Sequence, residues 1–297
     1  MATRALRECP TNFSLSFHRI DGEWRDKLKF VGHRERESEV TVRKQIRSIL
    51  GTVDRSLGLR EWLREANGAP AVAPVKSDPF TSTAELRHPH PNTVIDIGGS
   101  HGQFATEVIR DFPNAVIYSF EPIPQCFAEL STLSQTHPQL KPIQLALSNE
   151  EGQKEFNLSR FQDSSSFQQM LPRHLEAWPH TETEARIQVQ MTRLDRYAQR
   201  MELRAPIFAK MDVQGHELAV IEGGRETLAR CQRVMMECNF APLYQGQPTF
   251  IELYSAMTEL GFLFDGFISP LRHPRTLELL SADLIFYKPV DELEAPR

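Results

Sequence analysis

The chain has 297 residues, 40% of them hydrophobic and 25% charged, with 34 basic against 39 acidic side chains and a formal net charge of −5. That balance excludes a disordered chain, and no apolar run reaches the ~20 residues of a membrane helix. The first 30 residues hold no signal-peptide core, and Cys9, Cys126, Cys231 and Cys238 have neither metal-ligand spacing nor scaffold density, so a reducing, cytoplasmic setting is expected.

Residues 1–37 are polar and show no apolar periodicity. From Glu39 to Arg64 the apolar residues Val42, Ile46, Ile49, Val53 and Leu57 recur at spacings of three and four. That spacing predicts helix, in one or two pieces because Gly51 and Gly58 interrupt it. A lone helix of this length is marginal in water, so the stripe needs a host. Two hosts are open: the sheet domain near an acceptor site, or a second copy in a homodimer. Residues 1–64 carry 14 basic and 9 acidic side chains, and the remainder 20 and 30. A basic head on an acidic body fits an anionic partner or docking of one on the other, and the body's acidity argues against nucleic acid as its ligand. Pro70, Pro74, Pro79, Pro89 and Pro91 make residues 66–92 an irregular strap. The expected division is a helical region and strap over 1–90 and a main domain over 91–290.

In the main domain, strands are predicted at Thr93–Ile97, Ala115–Phe120, Pro142–Leu145, Ile207–Asp212, Arg233–Glu237, Phe262–Phe264 and Asp283–Tyr287. Helices are predicted at Gly102–Asp111, Pro124–Gln135, Gly215–Arg230 and Thr249–Leu260. Alternation of this kind implies crossover connections and a mostly parallel α/β sheet covered on both faces. Arg160–Ala185, with Ser164, Ser165 and Ser166 in a row, reads as a long surface loop.

The sharpest signal is V-I-D-I-G-G-S-H-G-Q-F from Val94. A buried strand ends at Asp96 and Ile97, and Gly98, Gly99 and Gly102 then permit a sharp turn and close approach by a ligand. The second glycine of a dinucleotide fingerprint would fall on Ser100, so that match fails, and no P-loop lysine is present. A carboxylate beside the loop disfavours pyrophosphate and suits a ligand bearing an ammonium group. Glu121, ending the next strand in S-F-E-P, can accept hydrogen bonds from both ribose hydroxyls of an adenosine. Asp96, the loop and Glu121 together point to S-adenosylmethionine. The competing reading is a cofactor-free domain with a structural turn.

Residues from about 92 to 288 resemble the FkbM family of S-adenosylmethionine-dependent methyltransferases. The motifs are D-I-G-G-S-H-G from Asp96, F-E-P from Phe120, A-L-S-N from Ala146, T-R-L-D from Thr192 and K-M-D-V-Q-G-H-E from Lys210. The last is similar to the family's K-x-D-x-E-G-x-E, with Gln214 in place of the usual glutamate. The resemblance implies a seven-stranded Rossmann-like class I methyltransferase fold. It also implies methyl transfer, commonly to a hydroxyl of a sugar, glycolipid or secondary metabolite. Gly98, Ser100 and Gly102 would line the methionine end, with Asp96 supporting the loop, Glu121 on the ribose, and Leu147 and Ser148 beside the adenine.

Asp212 ends a strand, His216 opens the following helix, and Glu237 and Asn239 end the next strand, so the four are expected to converge. Methyl transfer to oxygen needs an aligned acceptor and removal of its proton. His216 is the natural base, with Asp212 orienting the imidazole or serving instead. His216 could equally be a solvent-facing residue at a helix start, and Glu217 reads as a helix-terminus charge. A further reading has Asp212, Glu237 and Asn239 hold magnesium, which would acidify a bound hydroxyl. Asp195 is expected to cap a helix. The expected activity is O-methylation of a small-molecule or carbohydrate acceptor. The alternatives are an N-methyltransferase, which needs its base less, or a non-catalytic S-adenosylmethionine-binding scaffold.

Overall fold

The structure, a computed structural model, describes residues 17–20, 23–26 and 89–289. Its contacts divide the chain into Met1–Ser48 and Ile49–Arg297. In the first unit, β1 (Phe17–Ile20) and β2 (Glu23–Asp26) pair antiparallel, with Phe17 opposite Asp26 and Ile20 opposite Glu23. The helix expected over 39–64 and most of the proline strap lie outside the described residues.

The second unit begins with β3 (Thr93–Ile97), α1 (Gln103–Asp111), β4 (Val116–Phe120), α2 (Pro124–Thr136) and β5 (Leu140–Ile143). Next come β6 (Ala146–Leu147), β7 (Gly152–Ser159), α3 (Pro172–Ala177), β8 (Thr183–Thr192) and α4 (Leu194–Tyr197). The chain continues through β9 (Ile207–Met211), α5 (Glu217–Gly223), α6 (Arg225–Leu228) and β10 (Arg233–Asn239). It closes with α7 (Phe250–Glu259), β11 (Leu263–Arg272) and β12 (Leu279–Tyr287).

Seven of these strands form one sheet in the order β11-β12-β10-β9-β3-β4-β5. β12 runs antiparallel to both its neighbours, and the other pairings are parallel. β3 is central and buried at every position, as a β-branched run covered on both faces should be. Alternate side chains feed two cores. Ile95, Ile97, Ala209 and Met211 pack with Val220 and Ile221 of α5 and Leu253 and Met257 of α7. Val94, Phe208, Met235 and Ile285 pack on the other face with Phe104 and Val108 of α1 and Leu130 of α2. Among the described residues, no helix is long and apolar enough to cross a membrane.

Two expectations are corrected here, and the one for Asp195 holds. The helix predicted over 215–230 is two pieces, α5 and α6, separated at Gly223 and Gly224. A Cβ on Gly223 would sit 1.9 Å from the Ser148 carbonyl oxygen, so close packing against that segment dictates glycine where a helix former would otherwise serve. Asp195 does cap a helix, but a distant one: its carboxylate accepts from the N–H groups of Glu226 and Thr227 in α6, at 3.1 and 2.7 Å. The loop expected over 160–185 instead holds a 3₁₀ turn at Gln162–Ser164, then α3, then the start of β8. β8 lies between β6 and β7 in a second, three-stranded sheet. The serine run is buried because its hydroxyls find backbone partners. Ser165 Oγ accepts from Ser159 N at 3.0 Å, and Ser166 Oγ donates to Gln214 O at 2.7 Å.

Candidate active site

The turn after β3 is made by backbone. Gly98, Ser100 and Gly102 have φ of 85°, 44° and 82°. A Cβ on Gly98 would meet the Asp212 carbonyl oxygen at 1.9 Å, and one on Gly99 would meet Ser119 Oγ at 2.1 Å. The N–H groups of Gly98 and Gly99 both donate to Phe120 O at 3.0 Å, which ties the turn to the end of β4. Asp96 lies under the turn, fully buried, and accepts from Ser119 Oγ at 2.7 Å. Its second oxygen has no hydrogen-bond donor, with Lys210 Nζ at 4.0 Å. Burial raises its pKa despite that lysine. Glu121, 4% exposed, accepts from Ser100 N at 2.8 Å and Ile123 N at 2.7 Å. Burial lifts its carboxyl to about 7, against the pull of those two N–H groups.

Over this turn and the C-terminal ends of the parallel strands opens a cavity of about 730 Å³. That is where open α/β sheets place their ligands. Glu107, Glu121, Asp163, Asp212, Glu237 and Asp283 face it, and among the described residues Lys210 is the one lysine or arginine in its wall. Gly98, Ser100, Glu121 and Leu147 line it, whereas Asp96, Gly102 and Ser148 lie behind the wall.

The sheet's register explains the acid-rich end. On the face toward α1, Val94 pairs with Phe208 and Asp96 with Lys210, and Lys210 pairs with Met235. Two residues further along β10, Glu237 stands opposite Asp283; two beyond that, Asn239 stands opposite Ser281. The apolar face therefore turns polar row by row as the strands end. Lys210 Nζ lies 3.5 Å from both Asp212 Oδ2 and Gly98 O. Burial alone would depress its pKa, but Asp212, Asp96 and Asp283 hold it above the ordinary value. Burial beside Asp212 raises Glu237 well above the carboxylate range, and Asp283 reaches about 6 for the same two reasons.

Gln214 ties this end together. Its amide nitrogen donates to Asp212 Oδ1 and Glu237 Oε2, each at 2.7 Å. Its side-chain carbonyl accepts from Tyr244 OH at 2.7 Å, and Ser164 O lies within 3.2 Å of the same phenol. His174 Nε2 lies 3.1 Å from the phenol oxygen and His174 Nδ1 3.0 Å from the Thr181 hydroxyl, which itself donates to Trp178 O at 2.8 Å. Burial lowers His174 to about 4, so the ring stays neutral in this chain. Gln214 has φ 54°, held by the Ser166 bond to its carbonyl.

The expected pairing of His216 with Asp212 is corrected. The imidazole, 6% exposed, reaches Ser148 Oγ at 3.0 Å and Gln168 Nε2 at 3.5 Å, with Phe167 packed on it at 4.8 Å. Burial, then Lys154, lowers it to about 4. Ser148, expected beside an adenine, is its buried partner instead. Glu217 does serve the helix start: it accepts from Gly215 N at 3.1 Å, and burial lifts it to about 7. The magnesium reading is corrected too. The Gln214 amide spans Asp212 and Glu237, so both carboxylates face N–H donors. Among the described residues, no group of three or more His, Cys, Asp or Glu is arranged to hold a metal.

In the sequence Lys210, Tyr244, His174, Ser281 and Asp283 show no site role, and Gln214 reads as a motif departure. Lys210 and Asp212 alternate along β9, a signal that they share a face. The bonds of Tyr244 to Gln214 and His174 carry no local signal, since those partners are 30 and 70 residues away.

A parallel sheet with one reversed strand, a glycine turn after β3 and an acid ending β4 define a class I S-adenosylmethionine-dependent methyltransferase. Residues 96–264 match the family described as Methyltransferase FkbM domain, and the chain belongs to that family. A curated relative, 2-O-methyltransferase NoeI of Sinorhizobium fredii (strain NBRC 101917 / NGR234), is 29% identical over 168 residues, covering 54% of this chain and 69% of its own. The solved FkbM methyltransferase of Methylobacillus flagellatus KT has a TM-score of 0.44 at 14% identity, over 66% of this chain and only 44% of its own. The magnesium protoporphyrin IX methyltransferase of Synechocystis PCC 6803 with bound SAM has a TM-score of 0.41 at 12% identity, over 87% and 100%.

Proposed function

We propose that the chain transfers the methyl group of S-adenosylmethionine to a hydroxyl oxygen of a carbohydrate or glycoside. Gly98, Ser100 and Glu121 hold the cofactor's methionine and ribose, Leu147 borders the adenine, and Asp96 supports the turn from below. The cofactor is a sulfonium with an ammonium group, and the cavity's excess of acids complements that charge. The relative's name, a 2-O-methyltransferase, favours oxygen over nitrogen as the acceptor.

The observation that carries this reading is the Asp212 carboxylate. The backbone carbonyl of Asp212 abuts Gly98 of the turn, 36% of its side chain is exposed, and its carboxylate is held by Gln214 on one oxygen and Lys210 on the other. In the transfer, the acceptor oxygen attacks the methyl carbon as the carbon–sulfur bond breaks, S-adenosylhomocysteine leaves, and the hydroxyl proton passes to Asp212. His216 is less suited, because Ser148 and Gln168 already face both its nitrogens.

The test pairs calorimetry with turnover. Wild type should bind S-adenosylmethionine saturably and show no saturable binding of NADH. Asp212→Asn should keep cofactor affinity and lose turnover by about 10²–10⁴-fold, the usual contribution of a positioned base. A greater loss in His216→Ala than in Asp212→Asn returns the proton to His216. Tight NADH binding sinks the cofactor assignment.

A further inference from the structure

Asn239 is the polar group at the acid-rich end that the protein leaves unanswered. Asp212 is engaged by Gln214 and Lys210, and Glu237 by Gln214 and Ser281. Asp283 is engaged by Ser269. The Asn239 side chain lines the cavity at 6% exposure, and its Oδ1 has no hydrogen-bond partner. An unmet buried acceptor is costly unless a ligand supplies the donor. Asp96 has the other such atom, but it sits under the turn, away from the cavity wall.

Resting on the proposed hydroxyl acceptor, we infer that this end of the cavity is a binding site for a vicinal diol, with Asn239 reading the hydroxyl beside the one methylated. Asn239 follows Glu237 by two residues on the same face of β10, one row beyond Asp212 and opposite Ser281. A carboxamide presents an acceptor and two donors side by side, which is the complement of two adjacent hydroxyls. One hydroxyl gives its proton to Asp212 while its neighbour donates to Asn239 Oδ1. Leu243, Leu271 and Trp178 line the same cavity and offer apolar surface to the C–H face of a sugar ring. A lone phenol, a simple alcohol or an amine offers nothing for the amide to read.

The experiment uses the full chain, S-adenosylmethionine, and a panel of methyl hexopyranosides, their monodeoxy analogues and cyclohexanol, with products followed by mass spectrometry. Wild type should favour a diol-bearing glycoside over the analogue lacking the neighbouring hydroxyl by about tenfold in kcat/KM, in line with one hydrogen bond. Asn239→Ala and Asn239→Leu should fall to the analogue's level on the parent glycoside and cease to discriminate the two. Their cofactor affinity, measured by calorimetry, should be unchanged, which also shows that both variants are folded. Wild-type discrimination persisting in both variants overturns the role of Asn239. Equal use of cyclohexanol and the diol overturns the diol itself, while an inactive Asp212→Asn still upholds the hydroxyl reading. If the cofactor binds and no hydroxyl probe is methylated, both readings fall.

Discussion

At Gly98 and Gly99 the chain makes its contacts with backbone N–H groups and bare Cα atoms, whereas across the ends of β9, β10 and β12 it makes them with side chains. The first region comes from one short segment, whose positive φ values and missing Cβ atoms let Gly98 and Gly99 press against Asp212 and Ser119. The second is assembled by register from strands that are not contiguous in sequence, and Lys210, Gln214 and Tyr244 set its geometry. A one-carbon addition should therefore be ruinous at the turn. At the acid-rich end volume matters less than which atom donates and which accepts.

The largest expected effect breaks the turn. Gly98→Ala must place a methyl group on the Asp212 carbonyl at a positive φ. Strain of about 1–3 kcal/mol and a similar overpacking cost should lower stability by about 4 kcal/mol and abolish cofactor binding. Denaturant unfolding with and without S-adenosylmethionine measures both. Gly152→Ala, where nothing lies within 4 Å, is the control for positive φ alone.

Glu121→Ala should weaken S-adenosylmethionine binding by about 1.5–3 kcal/mol. Its carboxyl sits at about 7, raised by burial, so the proton leaves as pH rises through that value. The ionised form is the better acceptor for ribose hydroxyls, so wild-type affinity should rise between pH 6 and 8. Glu121→Gln should flatten that rise, and a slope that survives the substitution assigns it to another group.

At the acid-rich end, Gln214→Glu puts a third carboxyl between Asp212 and Glu237. Like charges at such distances raise carboxyl pKa values, so the acid limb of the rate against pH should move up by about one unit. Gln214→Leu removes the two N–H donors without adding a charge, so it should lower kcat with a smaller displacement in the same direction. A profile unmoved by Gln214→Glu would show that the amide does not steer the group that limits the rate. The smallest effect lies outside both regions: Asp195→Ala removes the cap on α6 and should cost about 1 kcal/mol in stability with cofactor affinity intact.

Legibility followed the same division. The strands Thr93–Ile97 and Arg233–Glu237, and the helices at 124 and 249, were readable because apolar period and local start signals coincide there. Pro124 opens α2, and Thr249 with Glu252 forms a capping box on α7. The small sheet was hidden because β7 and β8 carry exposed polar residues along most of their length. The buried serines and the split helix were hidden because their partners, Ser159, Gln214 and Ser148, are not sequence neighbours.

The sequence by itself determined the α/β class, the glycine turn, Glu121 at the end of the second parallel strand, and the placement of Asp212, Glu237 and Asn239 at strand ends. Each of those depends on residues within a few positions of one another, where backbone geometry and side-chain alternation act directly. Only the tertiary structure decided how the strand-end groups divide their work. His216 went to Ser148, Gln214 became the bridge between two carboxylates, and Asn239 kept an oxygen without a donor. Those outcomes depend on which donor reaches which acceptor after burial, and strand register and the far-off Tyr244 and His174 set that pairing.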